Sequence, residues 1–528
     1  MTMPRPSGIR LCRALVMSSI ALSSLTCLSG CVVGPVYQPP IVHVPERWGP
    51  EPVASSPTVQ SDSVDHRWWR GFRDPLLVSL VDRLGTQNLD LRTAYERVLQ
   101  SEARIRITAA QGLPKIEGVS QETYNRQSPN GPLGLSQKAP GAQLDYWLYA
   151  EGLTASWELD FFGRVRHALE AADAETLVAI EARHGIALAA LGDLAEGYLS
   201  LRGVQARLAI ARRNLSLAEQ DVVLVQSRFA NGVANTLDVA QARAQQATIA
   251  AGIPPLLAQQ AELINAIGML LGEEPRALEA VLRPAKSLPR VPRSIPIGLP
   301  VSLLGRRPDV REAEARLRAA VARTGVAVAS FYPSVSLIGM VDVQSLTLGR
   351  LFNLASTAWQ VGPSVTIPIF EGGRLKANLE LRESEGREAA VSFQKAVLTA
   401  WRQVDDARTA YVHIQQRRAR LAEAVTQNQI ALTSARQRYT EGASDFLNVN
   451  TVLGQLLQSQ NDLAEAEVQT TTTLVRLYRA LGGGWDIVDT SAGVSRSSST
   501  GPPFAIPTLL DGLASEAVDL RPGGTAPR

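Results

Sequence analysis

Cysteine is nearly absent: three in 528 residues, at positions 12, 27 and 31. With none beyond residue 31, no disulfide ties the body of the chain together, so packing or assembly must hold it. Histidine is as sparse. The five, His43, His66, His167, His184 and His413, are scattered without metal-ligand spacing. Neither a G-x-S-x-G nor a phosphate-loop pattern occurs, and the Gly-Gly-Gly at 482–484 follows a helical stretch and reads as its stop. The chain therefore reads as a non-enzyme without metal or cofactor. An excess of one charge is missing too. The formal net charge is +3, and Arg5, Arg10 and Arg13 are the only charges in the first thirty residues, so removing that segment leaves 3 − 3 = 0. Nucleic acid is thereby excluded as the main partner. Beyond the start, no run reaches the ~18 apolar residues of a spanning helix. A membrane crossing would have to be made of strands.

What is present begins with an export signal. A basic opening leads into "ALVMSSIALSSLTCLSG", apolar but interrupted by serines, and ends in "LSGC" at 28–31. That ending resembles the lipobox of bacterial lipoproteins, in which Cys31 becomes the lipid-modified first residue, carrying a diacylglycerol thioether and an N-acyl chain. Ordinary signal cleavage with a chance cysteine is the alternative. Val32 follows, where an aspartate would favour the inner membrane, so the outer membrane is expected.

The rest is written twice. "RFANGVANTLDV" at 228–239 returns as "RYTEGASDFLNV" at 438–449, an offset of 438 − 228 = 210. Gly163-Arg164 and Gly373-Arg374 keep that offset, as do Leu271-Gly272 and Leu481-Gly482. Upstream, "NLDLRTAYERV" at 88–98 answers "RPDVREAEARL" at 307–317, and "GLPKI" at 112–116 answers "FYPSV" at 331–335, both 219 apart. The first copy thus holds 219 − 210 = 9 extra residues, assigned to the Pro/Gly-rich loop 127–143. A tandem duplication at this spacing is far longer than solenoid repeats.

Each copy has one grammar. A helix comes first, at about 88–111 and 307–330. Two alternating segments follow, at 116–126 and 146–160, then at 334–343 and 359–369. In the second copy Val335, Leu337, Val341 and Val343 share one face, and Ser334, Ser336 and Asp342 the other. Trp359, Val361, Val365, Ile367 and Ile369 alternate likewise with Gln360, Gly362, Ser364 and Thr366. Aromatics gather around these strands, which fits the interfacial girdles of a membrane barrel; a soluble sheet with an aromatic core is the other reading. Residues 164–230 and 374–440 then run without proline, each ~100 Å of helix at 1.5 Å per residue. The repeated phrase breaks them, and helices return over 237–271 and 447–481. Gly232 and Gly442 supply the positive φ of the turn, and the Asn or Asp after each caps the returning helix.

Two hairpins give four strands, which cannot close a barrel, and an open edge is not tolerated in lipid. Closure needs cyclic copies: eight strands for a dimer, twelve for a trimer. The expected fold is mainly α with a membrane β-barrel portion. Its divisions are a signal peptide (1–30), a lipid-anchored and equatorial segment (31–87), repeat one (88–272), a linker (273–306), repeat two (307–482) and a flexible tail (483–528).

The phrases "CVVGPVYQPP" at 31–40, "WWRGFRDPLLVSLVDRLGTQNLDLRTAYERV" at 68–98, "LLGRRPDVREAEARL" at 303–317, "SFYPSVSL" at 330–337, "FEGGRLKANL" at 370–379 and "LYRALGGGW" at 477–485 stand in order with the two tip phrases. Together they resemble the TolC-like outer-membrane efflux factors, in particular the NodT-type lipoprotein branch serving resistance-nodulation-division (RND) pumps. The resemblance implies a homotrimer with a twelve-stranded β-barrel continued by a periplasmic α-helical barrel. It implies passive exit of drugs or other small molecules, with a periplasmic adaptor, an inner-membrane RND pump and outer-membrane lipid as partners. It further implies a gate at the hairpin tips, mainly in the second copy. The candidates are Arg436, Arg438, Tyr439, Glu441 and Asp445, with Arg228 and Asp238 in the first copy. Solvated tip residues or adaptor contacts are the alternative for each, and Arg436 departs from a simple acidic ring. A protein-secretion duct and a structural periplasmic lipoprotein are the competing functions.

Overall fold

A computed structural model describes residues 32–40, 59–60, 66–128, 145–292, 295–296 and 305–488. Cys31, the signal segment, most of the 127–143 loop and the tail from 489 onward lie outside the described residues, as does the short ordered stretch at 508–520 that the tail's sequence allows.

The strand pattern becomes one antiparallel sheet. Strands β2 (Lys115–Arg126), β3 (Asp145–Leu159), β5 (Ser334–Ser345) and β6 (Thr357–Thr366) stand side by side in that order. Two-residue strands β1 (Val59–Gln60) and β4 (Ile295–Pro296) form a separate parallel pair. Pairing of Val335 with Val365, Val341 with Trp359 and Gly339 with Val361 puts the apolar residues of β5 and β6 on one face. Leu153 and Trp157 of β3 join them opposite Val341 and Leu337. Ser336 faces Ser364 on the other side. Trp147 and Trp157 are ten residues apart on β3, about 25 Å of membrane depth for a strand tilted by ~40°. At the outer end Trp147 lies 5.1 Å from Tyr124 and 6.2 Å from Tyr149, and at the inner end Phe162 stacks on Tyr332 at 5.0 Å. β6 stops at Thr366, short of the alternation that runs on to Ile369, because its partner β5 begins at Ser334, opposite Thr366.

Each hairpin of the sheet runs into helices. Repeat one supplies α2 (Leu89–Ala110), α3 (Arg164–Ala230), α4 (Thr236–Ala251) and α5 (Ile253–Leu270). A helical turn, α6 (Glu279–Leu282), follows, then α7 (Pro308–Ala329), α8 (Arg374–Thr440) and α9 (Phe446–Ala480) of repeat two. The first returning helix corrects the unbroken 237–271 expectation. It divides at Gly252 because Pro254 and Pro255 lack N–H donors and clash with the preceding turn. The second copy has no proline there, and α9 is continuous. No helix among the described residues is long and apolar enough to cross a membrane.

The largest core lies where the repeats meet, away from the sheet. Helix α1 (Pro75–Gln87) begins at Asp74, whose carboxylate caps the Leu76 amide and accepts from the Tyr198 hydroxyl at 2.5 Å. Burial, helped by that carboxylate, raises the Tyr198 pKa. Trp68 stacks on Tyr478 at 5.1 Å and donates to the Gly483 carbonyl at 3.0 Å, so the N-terminal segment is sewn to the end of repeat two. Trp485 donates to the Arg306 carbonyl at 3.0 Å and Val488 is fully buried, so packing continues past residue 482 to 488.

Candidate functional site

The two tips close in the same way. In the first, Val233 N–H reaches back to the Arg228 carbonyl at 2.9 Å; in the second, Ala443 N–H reaches the Arg438 carbonyl at 2.8 Å. This six-to-one bond ends each long helix and requires a left-handed residue, supplied by Gly232 at φ +76° and Gly442 at φ +77°. The returning helices are capped by Asn235, which accepts from Asp238 N–H at 2.9 Å, and by Asp445, which accepts from Asn448 N–H at 3.2 Å.

Between the tips the pseudo-symmetry fails. Arg228 and Arg438 are equivalent by the 210 offset, yet they do different things. Arg228 donates to the Thr440 carbonyl at 2.9 Å and lies over the Tyr439 ring at 4.8 Å, while Arg438 is exposed. Tyr439 is buried against Phe446 with ring centroids 5.4 Å apart. Burial, aided by the charge of Asp238, raises its phenol pKa. One turn back, Arg436 pairs with Asp221 of α3 at 2.6 Å. Desolvation raises the Asp221 pKa despite the opposing pull of Arg436. The 210 offset places Gln226 and Ala431 at the equivalent positions, so the pair has no twin.

The candidates thus fall into three sets. Arg228, Tyr439 and Arg436 join the first hairpin to the second. Asp238 and Asp445 are engaged at helix starts, Asp238 accepting in turn from the Asn235 N–H at 3.2 Å. Arg438 and Glu441 stand exposed, Glu441 accepting from Gln437 at 2.9 Å. Asp221 was not among the sequence candidates. Its one signal was its place seven residues before Arg228, two turns away on the same helix face.

Asp221 also belongs to a longer pattern. The ion pairs between α3 and repeat two, among the described residues, all place the acid on α3. Glu175 meets Arg323, Glu181 meets Arg311 at 2.6 Å, Asp193 meets Arg479 at 3.1 Å and Glu196 meets Arg476 at 3.2 Å. Repeat one carries the negative face of this seam and repeat two the positive.

A four-stranded sheet with an apolar outer face, run into paired helical hairpins that are tied at their tips, defines one subunit of a β-barrel channel with a helical extension. The family described as "Outer membrane efflux protein" matches residues 80–273 and 299–483. The solvent efflux pump outer membrane protein SrpC of Pseudomonas putida is 31% identical over 494 residues, covering 89% of this chain and 98% of the relative. Outer membrane protein OprJ of Pseudomonas aeruginosa is 32% identical over 477 residues, covering 89% and 96%. Cation efflux system protein CusC of Escherichia coli is 30% identical over 460 residues, covering 87% and 96%. The solved outer-membrane channel OprN superposes with TM-score 0.79 at 32% identity, covering 86% of this chain and all of that one. The chain belongs to the outer membrane efflux protein family. It is an outer-membrane efflux channel.

Proposed function

We propose that three copies of this chain close a twelve-stranded barrel through which small molecules, expelled by an inner-membrane RND pump and bridged by a periplasmic adaptor, leave passively. The open sheet carries this reading. Its edges β2 and β6 have no partner among the described residues, and in lipid each unpaired backbone group costs several kcal/mol. Pairing β6 of one copy with β2 of the next satisfies both edges at once, and threefold closure is the one that the family resemblance supports. Acylated Cys31 adds a lipid anchor. The names of the relatives point to solvents in one case and cations in another, so the substrate class is taken to be set by the pump.

The same reading assigns closure to the tips. Arg436 and Arg228 hold the second hairpin against the first, and Arg438 and Glu441, each repeated three times about the axis, form the charged rings. Light scattering of the detergent-solubilised protein and planar-bilayer recording test it together. A trimer with small resting conductance that grows in Arg436→Ala and Arg228→Ala is expected. A monomer without channel events would sink the assembly, and unchanged conductance in both variants would remove these residues from the gate. Metabolic labelling with palmitate, lost in Cys31→Ala, tests the anchor separately.

A further inference from the structure

Beyond α6 the chain lies as a strap against α8 and α9. Its first residues are pinned from repeat one. Gln205 of α3 donates to the Leu282 carbonyl at 2.7 Å, Arg202 to the Pro284 carbonyl at 3.1 Å, and Gln260 of α5 to the Arg283 carbonyl at 3.2 Å. Further on, Leu288 and Val291 pack against the main core. Between the strap and the two helices lies a cavity of about 430 Å³, all three of its walls drawn from one chain. A water molecule takes about 30 Å³ of liquid, so the space suits a small organic molecule better than a lone ion.

The polar groups on these walls are unspent. Arg290 of the strap and Arg418 of α8 are both exposed at the cavity, and neither meets a carboxylate within ion-pair distance among the described residues. Deeper in, the side-chain nitrogen of Gln415 is buried without a hydrogen-bond partner. Tyr411 is buried too, and burial, against the pull of Arg418, pushes its phenol up to about 12. Its hydroxyl therefore keeps a proton to donate. Glu467 of α9 supplies an acceptor to the same cavity. A larger cavity of about 770 Å³, among α3, α7, α8 and α9, makes the contrast. There Arg307, Arg476 and Arg479 each hold an acid already.

Two forked guanidiniums without an acid of their own match a carboxylate, which accepts paired N–H donors from each. Gln415 and Tyr411 add neutral donors. Glu467 on the same walls disfavours a second negative charge and accepts from an ammonium. Leu288 and Val291 offer an apolar wall to a side chain. We propose that this cavity binds a free, short zwitterionic peptide, its C-terminal carboxylate on Arg290 and Arg418, its amine toward Glu467 and an apolar side chain against Leu288 and Val291. The site is complete within one chain and stands whether or not the tips gate the channel.

Saturation-transfer NMR titration of the full-length, detergent-solubilised protein with the dipeptide alanyl-leucine tests the site. Saturable binding is expected, with a dissociation constant on the order of 1 mM for so small a ligand. The C-terminal amide of the dipeptide lacks the carboxylate, and its N-acetyl form lacks the ammonium. Each should bind about tenfold more weakly, the scale of one charge-assisted contact. Arg290→Ala and Arg418→Ala should each weaken the parent dipeptide by about the same factor. Arg418→Lys keeps the charge without the fork and should fall between. Both arginines are exposed, so an unchanged melting temperature is expected of all three variants. No saturation by about 10 mM overturns the proposal. So does wild-type affinity in both alanine variants, which would put the peptide elsewhere. Displacement by equimolar inorganic phosphate would make this a general anion site, and equal binding of the N-acetyl form would remove the zwitterion; either overturns it as well. None of these readouts needs a membrane or a channel event, so this proposal and the channel reading fail separately.

Discussion

Arg436 and Asp221 are 215 residues apart in sequence and 2.6 Å apart in the fold, the tip-most ion pair between the two repeats among the described residues. The pair is unequal. Desolvation raises the Asp221 pKa even with Arg436 beside it, so the carboxylate loses more by burial than it gains from its partner. A raised carboxyl pKa gives a stability contribution that is full below the unfolded value of 3.8 and is lost as pH rises through the folded value. Acidification therefore neutralises Asp221 before an ordinary aspartate and opens the tip pair without unfolding the hairpin. Asp221→Asn is expected to change stability by less than about 1 kcal/mol, whereas Arg436→Ala, which strands the carboxylate, costs about 3 kcal/mol. Thermal denaturation of the two variants checks the asymmetry, and channel recordings at falling pH check the opening.

Asp445 is separable into a cap and a charge. Asp445→Ala removes the bond to Asn448 N–H and should cost about 1 kcal/mol. Asp445→Asn keeps a capping oxygen and should cost only a few tenths. A conductance change shared by both variants is electrostatic. One confined to Asp445→Ala comes from a frayed helix.

Helices α3 and α9 pack tightly at Gly203. A Cβ added there would sit 2.0 Å from a Val468 methyl, so something must shift. Gly203→Ala should destabilise the protein by about 1–3 kcal/mol. Adding Val468→Ala should recover most of that loss in chemical denaturation, because it removes the colliding methyl groups.

Neighbouring positions in β6 should respond oppositely to the same substitution. Val361 lies on the apolar face with Trp359 and Val365, and Gln360 on the other. Val361→Arg places a cation against lipid near mid-depth and should cost about 2–4 kcal/mol, seen as loss of the folded trimer from membranes. Gln360→Arg should insert normally and alter ion selectivity instead. Equal insertion of both would reverse the assignment of faces.

Much of this was legible in the sequence because it depends on neighbours along the chain. Alternation over 334–345 and 357–366 is set by the two-residue period of a strand, and the register merely aligned two patterns already present. Long helices followed from the absence of proline over 164–230 and 374–440. The Pro254-Pro255 break is equally local, and the matching stretch of the other copy has none. The candidate site was legible only as a pair of turns. Gly232, Gly442, Asn235 and Asp445 each act within six residues of themselves.

By itself, then, the sequence determined the duplication, the strand faces, the lengths of the two long helices and the chemistry of both turns, since each is a short-range property of backbone sterics, capping or side-chain period. The tertiary structure decided which equivalent residues part company. Arg228 lies on Tyr439 while Arg438 faces out, acids of α3 meet arginines of repeat two, and His167 takes the Val33 carbonyl. Those outcomes depend on which surfaces come within hydrogen-bonding distance across more than a hundred residues. No local pattern encodes that distance, because it is the sum of every packing choice between them.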